Sequence, residues 1–154
     1  MTPPAGAAAD GHPASAAISR LFVYGSLKEG FPNFHVNRGR RVAGEFVTVQ
    51  RLPMMLMNGQ LPCLLLEPGQ GHPVIGQLFE VSGAELQAMD ELERVGQPGG
   101  YRREAIDVRP RHAPDAAPLR AWVYAQSREL LDGPGPHEGP LAEYTPEQAQ
   151  RLRW

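Results

Sequence analysis

Two places in this 154-residue chain put reactive groups where folding alone would not. The first is a carboxylate. Ser82-Gly83-Ala84-Glu85 reads as a helix start, with Ser82 as N-cap and Glu85 as its capping-box partner. Leu86, Met89 and Leu92 then share one face. At about 100° per residue, Glu93 falls only ~20° from Leu86, inside that apolar stripe. A carboxylate facing a core or cleft must be paired, be protonated or do chemistry. Two readings stand at this point: an ion pair with an Arg from a neighbouring strand, or a general acid/base. Asp90 and Glu91 fall on or beyond the stripe's edge and read as solvated acids.

The second place is a turn. Leu21-Phe22-Val23-Tyr24 is an apolar run suited to a buried strand, and it stops abruptly at Gly25-Ser26-Leu27-Lys28-Glu29-Gly30. Gly25 permits a sharp turn and close approach of a ligand. Such a turn can aim several backbone N–H groups at one spot, which suits a carboxylate or a developing oxyanion. Taken alone, it also fits a strand that simply ends.

Other chemistries find little support. His12, His35, His72, His112 and His137 are scattered, with no helical ligand spacing, so no metal site is expected. The lone Cys63, in Leu61-Pro62-Cys63-Leu64, reads as a small buried hydrophobe. Gly25 to Gly30 lacks the Gly-Lys-Ser/Thr ending of a phosphate-binding loop, and no G-x-S-x-G elbow makes Ser26 a nucleophile. A net charge of −2 points away from nucleic acid and from basic membrane patches. No stretch approaches the ~20 apolar residues that span a bilayer. Residues 1–19, rich in Ala, Pro and Gly and without Lys or Arg, read as a disordered tail rather than a secretory signal. The chain is therefore expected in the cytoplasm.

The elements that must position Glu93 and the turn are mostly strands. Gly 17 and Pro 16 imply many turns and a β-dominated domain. Strand character appears at 21–24, 42–50, 52–57, 61–66, 74–81, 102–108 and 119–125, with Asn58-Gly59 as a hairpin dipeptide. Residues 132–140 read as irregular. Thr145-Pro146-Glu147-Gln148 opens a short terminal helix. One domain over 20–154 is expected. The pattern itself supports only an α+β class.

In order and spacing these segments resemble the gamma-glutamylcyclotransferase (AIG2-like) family, with the nearest likeness to gamma-glutamylamine cyclotransferases. The resemblance rests on Val23-Tyr24-Gly25-Ser26-Leu27-Lys28, Gly30 and Pro32-Asn33. It continues through Leu61-Pro62-Cys63-Leu64-Leu65, Gly76-Gln77-Leu78-Phe79-Glu80-Val81, Met89-Asp90-Glu91-Leu92-Glu93, Tyr101-Arg102-Arg103 and Trp122-Val123-Tyr124. It implies a small mixed β-barrel with flanking helices. It also implies a cofactor-independent reaction on a small-molecule γ-glutamyl substrate, releasing 5-oxoproline and an amine. Glu93 takes the family's catalytic position. Tyr24, Gly25, Ser26 and Leu27 take the place of its glutamyl-binding turn. Tyr101 is expected either to line the pocket or to be a core tyrosine. Leu92 stands where the family often has Phe, and the Gly/Pro-rich stretch before Tyr101 is expected to shape the leaving-group pocket. A non-catalytic module of the same fold, binding a γ-glutamyl or acidic small molecule, is the alternative.

Overall fold

A computed structural model of the chain describes residues 17–133 and 135–151. Most of the expected tail, residues 1–16, lies outside the described residues. The first strand, β1 (Ser19–Val23), takes in Ser19, the last residue assigned to that tail.

The other strands are β2 (Arg40–Arg41), β3 (Phe46–Thr48), β4 (Met54–Met57), β5 (Leu61–Leu64), β6 (Ile75–Val81), β7 (Arg102–Pro110), β8 (Leu119–Ala125) and β9 (Glu138–Leu141). Five of them close a mixed barrel in the order β1-β8-β7-β3-β6, with β6 returning to β1. The β1–β6 pair is antiparallel, with Leu21 opposite Phe79, whereas β1–β8 is parallel, with Leu21 opposite Trp122. Short β2 adds to the free part of β6, and β4, β5 and β9 form a separate three-stranded sheet. This is the small β-barrel expected from the resemblance, flanked by α1 (Gly83–Leu92) and α2 (Pro146–Ala149).

Both faces of β1 are buried, which explains its unbroken apolar run. Phe22 joins Phe46, Leu78, Val108 and Val123 in one core cluster. Leu21 and Val23 turn the other way and pack with Phe79, Val81 and the α1 residues Leu86 and Met89. Strand β1 is thus the wall between the barrel interior and the helix that carries Glu93.

Two local readings change. Residues 42–50 do not form one strand: Gly44, at φ 88, breaks the run between β2 and β3. Residues 132–140 are not wholly irregular, because β9 occupies their end and pairs with β4 at Leu56–Glu138. The hairpin between β4 and β5 is as expected. Asn58 (φ 55) and Gly59 (φ 70) both adopt the left-handed conformation its turn requires, and Gln60 N–H donates to the Met57 carbonyl at 3.0 Å.

Candidate active site

Helix α1 is built as its spacing predicts. The Ser82 side chain accepts from Glu85 N–H and Glu85 accepts from Ser82 N–H, while Leu86 and Met89 are buried. Glu93 lies one residue past the helix, as its C-cap (φ −84, ψ 0). The C-cap continues the helical azimuth, so the residue still faces the side that the apolar stripe defines. Arg94 N–H bonds the Glu91 carbonyl and Val95 N–H the Asp90 carbonyl, the paired bonds of a Schellman ending, with Arg94 at φ 58 where glycine is usual. Glu93 is held from both sides. Its N–H donates to Met89 O, and its carbonyl accepts from Tyr101 N–H at 2.9 Å.

The Glu93 side chain lines a cavity of about 250 Å³ between the end of β1, the start of β5, the end of α1 and Tyr101. Burial pushes its carboxyl up to about 7. Its place at the negative end of the helix dipole works in the same direction. Among the described residues no cation lies within ion-pair distance of it.

The neighbouring-strand arginine does exist, but it pairs with a different acid. Arg103 Nε on β7 sits 3.0 Å from Asp90 Oδ1, as an ionic contact rather than an aligned hydrogen bond. The Arg103 guanidinium also stacks over the Trp122 ring at 4.5 Å. Asp90 Oδ1 accepts the Tyr124 hydroxyl at 2.7 Å. Asp90 is therefore a half-buried, engaged acid rather than a solvated one, whereas Glu91 is exposed as expected.

Three tyrosines share the cavity wall with Glu93, and each donates its proton elsewhere. Tyr24 donates to the Tyr124 carbonyl (2.7 Å), Tyr101 to the Pro62 carbonyl (2.7 Å), and Tyr124 to Asp90. Both readings of Tyr101 hold together: its hydroxyl is satisfied and its side chain lines the cavity. All three phenols, and the buried Cys63 thiol at about 11, are pushed up by burial and by the Glu93 charge. They stay protonated at neutral pH, where Glu93 alone among these groups exchanges a proton. Cys63 is the buried hydrophobe expected. Among the described residues no three His, Cys, Asp or Glu side chains assemble into a metal site.

The turn after β1 forms the facing wall. Lys28 N–H closes it on Gly25 O at 3.1 Å. A Cβ at Gly25 would lie 2.8 Å from Pro62 Cγ, so this position needs glycine for close packing against β5. Asn33 grips Ser26 twice, by its N–H to the Ser26 carbonyl and by its side-chain amide to Oγ, both at 2.9 Å. Leu27 packs its side chain into the cluster beside α1. The N–H groups of Ser26 and Leu27 have no acceptor among the described residues.

Sequence reasoning missed the residues that stiffen this turn. Buried Lys28 donates to the Tyr144 carbonyl at 2.7 Å, Asn37 to the Leu27 carbonyl at 3.1 Å, and Gln77 accepts from Glu29 N–H at 2.7 Å. No local signal marks them. Gly25→Ala is expected to push Pro62 away, costing about 1–3 kcal/mol and raising KM. Urea melts and steady-state kinetics would check it, and an unchanged melt would show that β5 yields freely.

The family model for "Gamma-glutamyl cyclotransferase, AIG2-like" matches residues 21–145, which include the turn, α1 and Tyr101. The chain belongs to this family of cyclotransferases. It is similar to the rat gamma-glutamylaminecyclotransferase, 37% identical over 98 residues, a match covering 60% of this chain and 64% of the rat protein, a little under two thirds. The mouse gamma-glutamylaminecyclotransferase is 28% identical over 147 residues, 78% of this chain and 93% of its own. The crystal structure of a mouse AIG2-like protein superposes with a TM-score of 0.68 at 30% identity, covering 89% of this chain and 95% of that one.

Within this AIG2-like chain, the stretch 94–100 is a tightly folded loop, anchored by the Gln126 side-chain amide, which donates to the Gly99 carbonyl at 3.2 Å. Gln97 N–H bonds the Arg94 carbonyl and Gly100 N–H the Gln97 carbonyl. A Cβ at Gly100 would overlap the Arg94 carbonyl, so the loop folds tightly on itself. Arg94, Gly99 and Gly100 line the cavity beside Glu93. The Gly-rich composition thus serves loop closure as well as pocket shape.

Proposed function

We propose that this chain is a cofactor-independent gamma-glutamylamine cyclotransferase in which Glu93 is the general acid/base. The observation that carries this reading is an unpaired carboxylate, pushed up to about 7, in a cavity where every tyrosine hydroxyl is directed to another acceptor.

The substrate brings its own nucleophile. Its α-amine attacks the γ-amide carbonyl, forming the ring C–N bond, so the pocket has mainly to fold the γ-glutamyl group into attacking geometry. Glu93 accepts the proton that the amine loses and returns it to the departing nitrogen as the amide C–N bond breaks. A carboxyl near 7 is a far better acceptor for this proton than one in the ordinary carboxylate range. The N–H groups of Ser26 and Leu27 are suited to the substrate carboxylate or the tetrahedral oxyanion. Tyr24 and Gly25 hold that turn in place, and Tyr101 lines the pocket while its N–H tethers Glu93.

The test is 5-oxoproline release from a panel of γ-glutamyl amines and γ-glutamyl amino acids. Release from at least one member supports the reading. Tight 5-oxoproline binding with no release from any member would favour the non-catalytic module instead. In the active enzyme the base must be ionised, so kcat/KM should rise tenfold per pH unit below about 7 and level off above it. A rising limb centred near the ordinary carboxylate range would contradict a buried base.

A further inference from the structure

Three tyrosine hydroxyls share the cavity wall with Glu93, and two of them are tied to backbone carbonyls that no substitution removes. The third, on Tyr124, is held by a side chain, Asp90, one helical turn before Glu93. The same Asp90 oxygen holds Arg103 at 3.0 Å. One acid thus engages both a hydroxyl on the cavity wall and the guanidinium of the adjacent strand.

We propose that Asp90 is a positioning residue which, by holding the Tyr124 hydroxyl, keeps it off Glu93 and leaves that carboxylate unpaired for the substrate amine. The proposal rests on Glu93 being the acid/base of the reaction above. The other groups around Glu93 are accounted for. Tyr24 at the end of β1, Cys63 on β5 and Tyr101 after the loop stay neutral, and Arg94 follows in the chain at the exposed mouth. Without Asp90, the Tyr124 hydroxyl loses its acceptor beside a carboxylate that lacks a donor, and a charge-stabilising hydrogen bond becomes available.

Carbon-13 NMR of the Glu93 carboxyl, assigned by its loss in Glu93→Gln, reads this directly. The wild-type midpoint should lie near 7. In Asp90→Ala it should fall by roughly 1–2 pH units, and adding Tyr124→Phe should return at least half of that shift. The acid limb of kcat/KM should move with the NMR midpoint. An unmoved midpoint overturns the proposal. So does a fall that Tyr124→Phe fails to reverse, since that is plain loss of a neighbouring charge. Should Asp90→Ala not fold, Asp90→Leu removes the Tyr124 acceptor while filling the space. A fall that Tyr124→Phe reverses then supports the proposal, and an unmoved midpoint overturns it. If no protein, wild type included, releases 5-oxoproline, the cyclotransferase reading fails while the titration still decides what Asp90 does.

Discussion

Glu93→Gln is expected to lower 5-oxoproline release by about 10²–10⁴-fold and, at pH 8, to make the protein more stable than the wild type. The stability gain follows from linkage. The Glu93 carboxyl sits at about 7 in the folded chain against an ordinary value near 4.5. Between those values the folded state holds a proton that the unfolded state has lost, so stability falls as pH rises through this window and levels off above 7. The accumulated cost at pH 8 is on the order of 3 kcal/mol, which a neutral Gln of the same shape does not incur. Melting both proteins at pH 5 and pH 8 checks this, because the difference should shrink sharply at pH 5. Equal gains at both pH values would mean Glu93 ionises normally, and retained turnover would remove it from the mechanism.

Tyr24→Phe should be the most damaging single-atom change near the site. The Tyr24 hydroxyl donates to the Tyr124 carbonyl on β8 and accepts from Leu64 N–H on β5 at 3.1 Å, and both bonds are buried. Removing one oxygen leaves a buried carbonyl and a buried N–H without partners, a loss of about 2–4 kcal/mol. The urea midpoint should drop with little change in slope. A loss under ~0.5 kcal/mol would mean that water replaces the hydroxyl and that Tyr24 is not a strut between barrel and second sheet.

What could be read from the chain beforehand was what local spacing encodes. The Ser82–Glu85 box, the Asn58-Gly59 turn and strand Leu119–Ala125 each depend on a few consecutive residues, and each appears where expected. Glu93 was legible for the same reason, since a direction around a helix survives one residue past its end. Asp90 was misread because its partners, Arg103 and Tyr124, lie on strands 13 and 34 residues further along. Lys28 looked like part of a polar loop because its acceptor, the Tyr144 carbonyl, is 116 residues away. Strand β9 carries Gly139 and Pro140, which argue against a strand wherever the pairing partner cannot be seen.

The bond from Tyr101 N–H to the Glu93 carbonyl separates the evolution of two properties. Everything between these residues, 94–100, forms a closed excursion whose two ends are pinned together, and loop length adds little to the free energy of such a closure. The exposed side chains of Gln97 and Pro98 can be exchanged without touching the bonds that hold the carboxylate. The chain can therefore drift at the exposed tip of this segment while the placement of Glu93 is inherited intact.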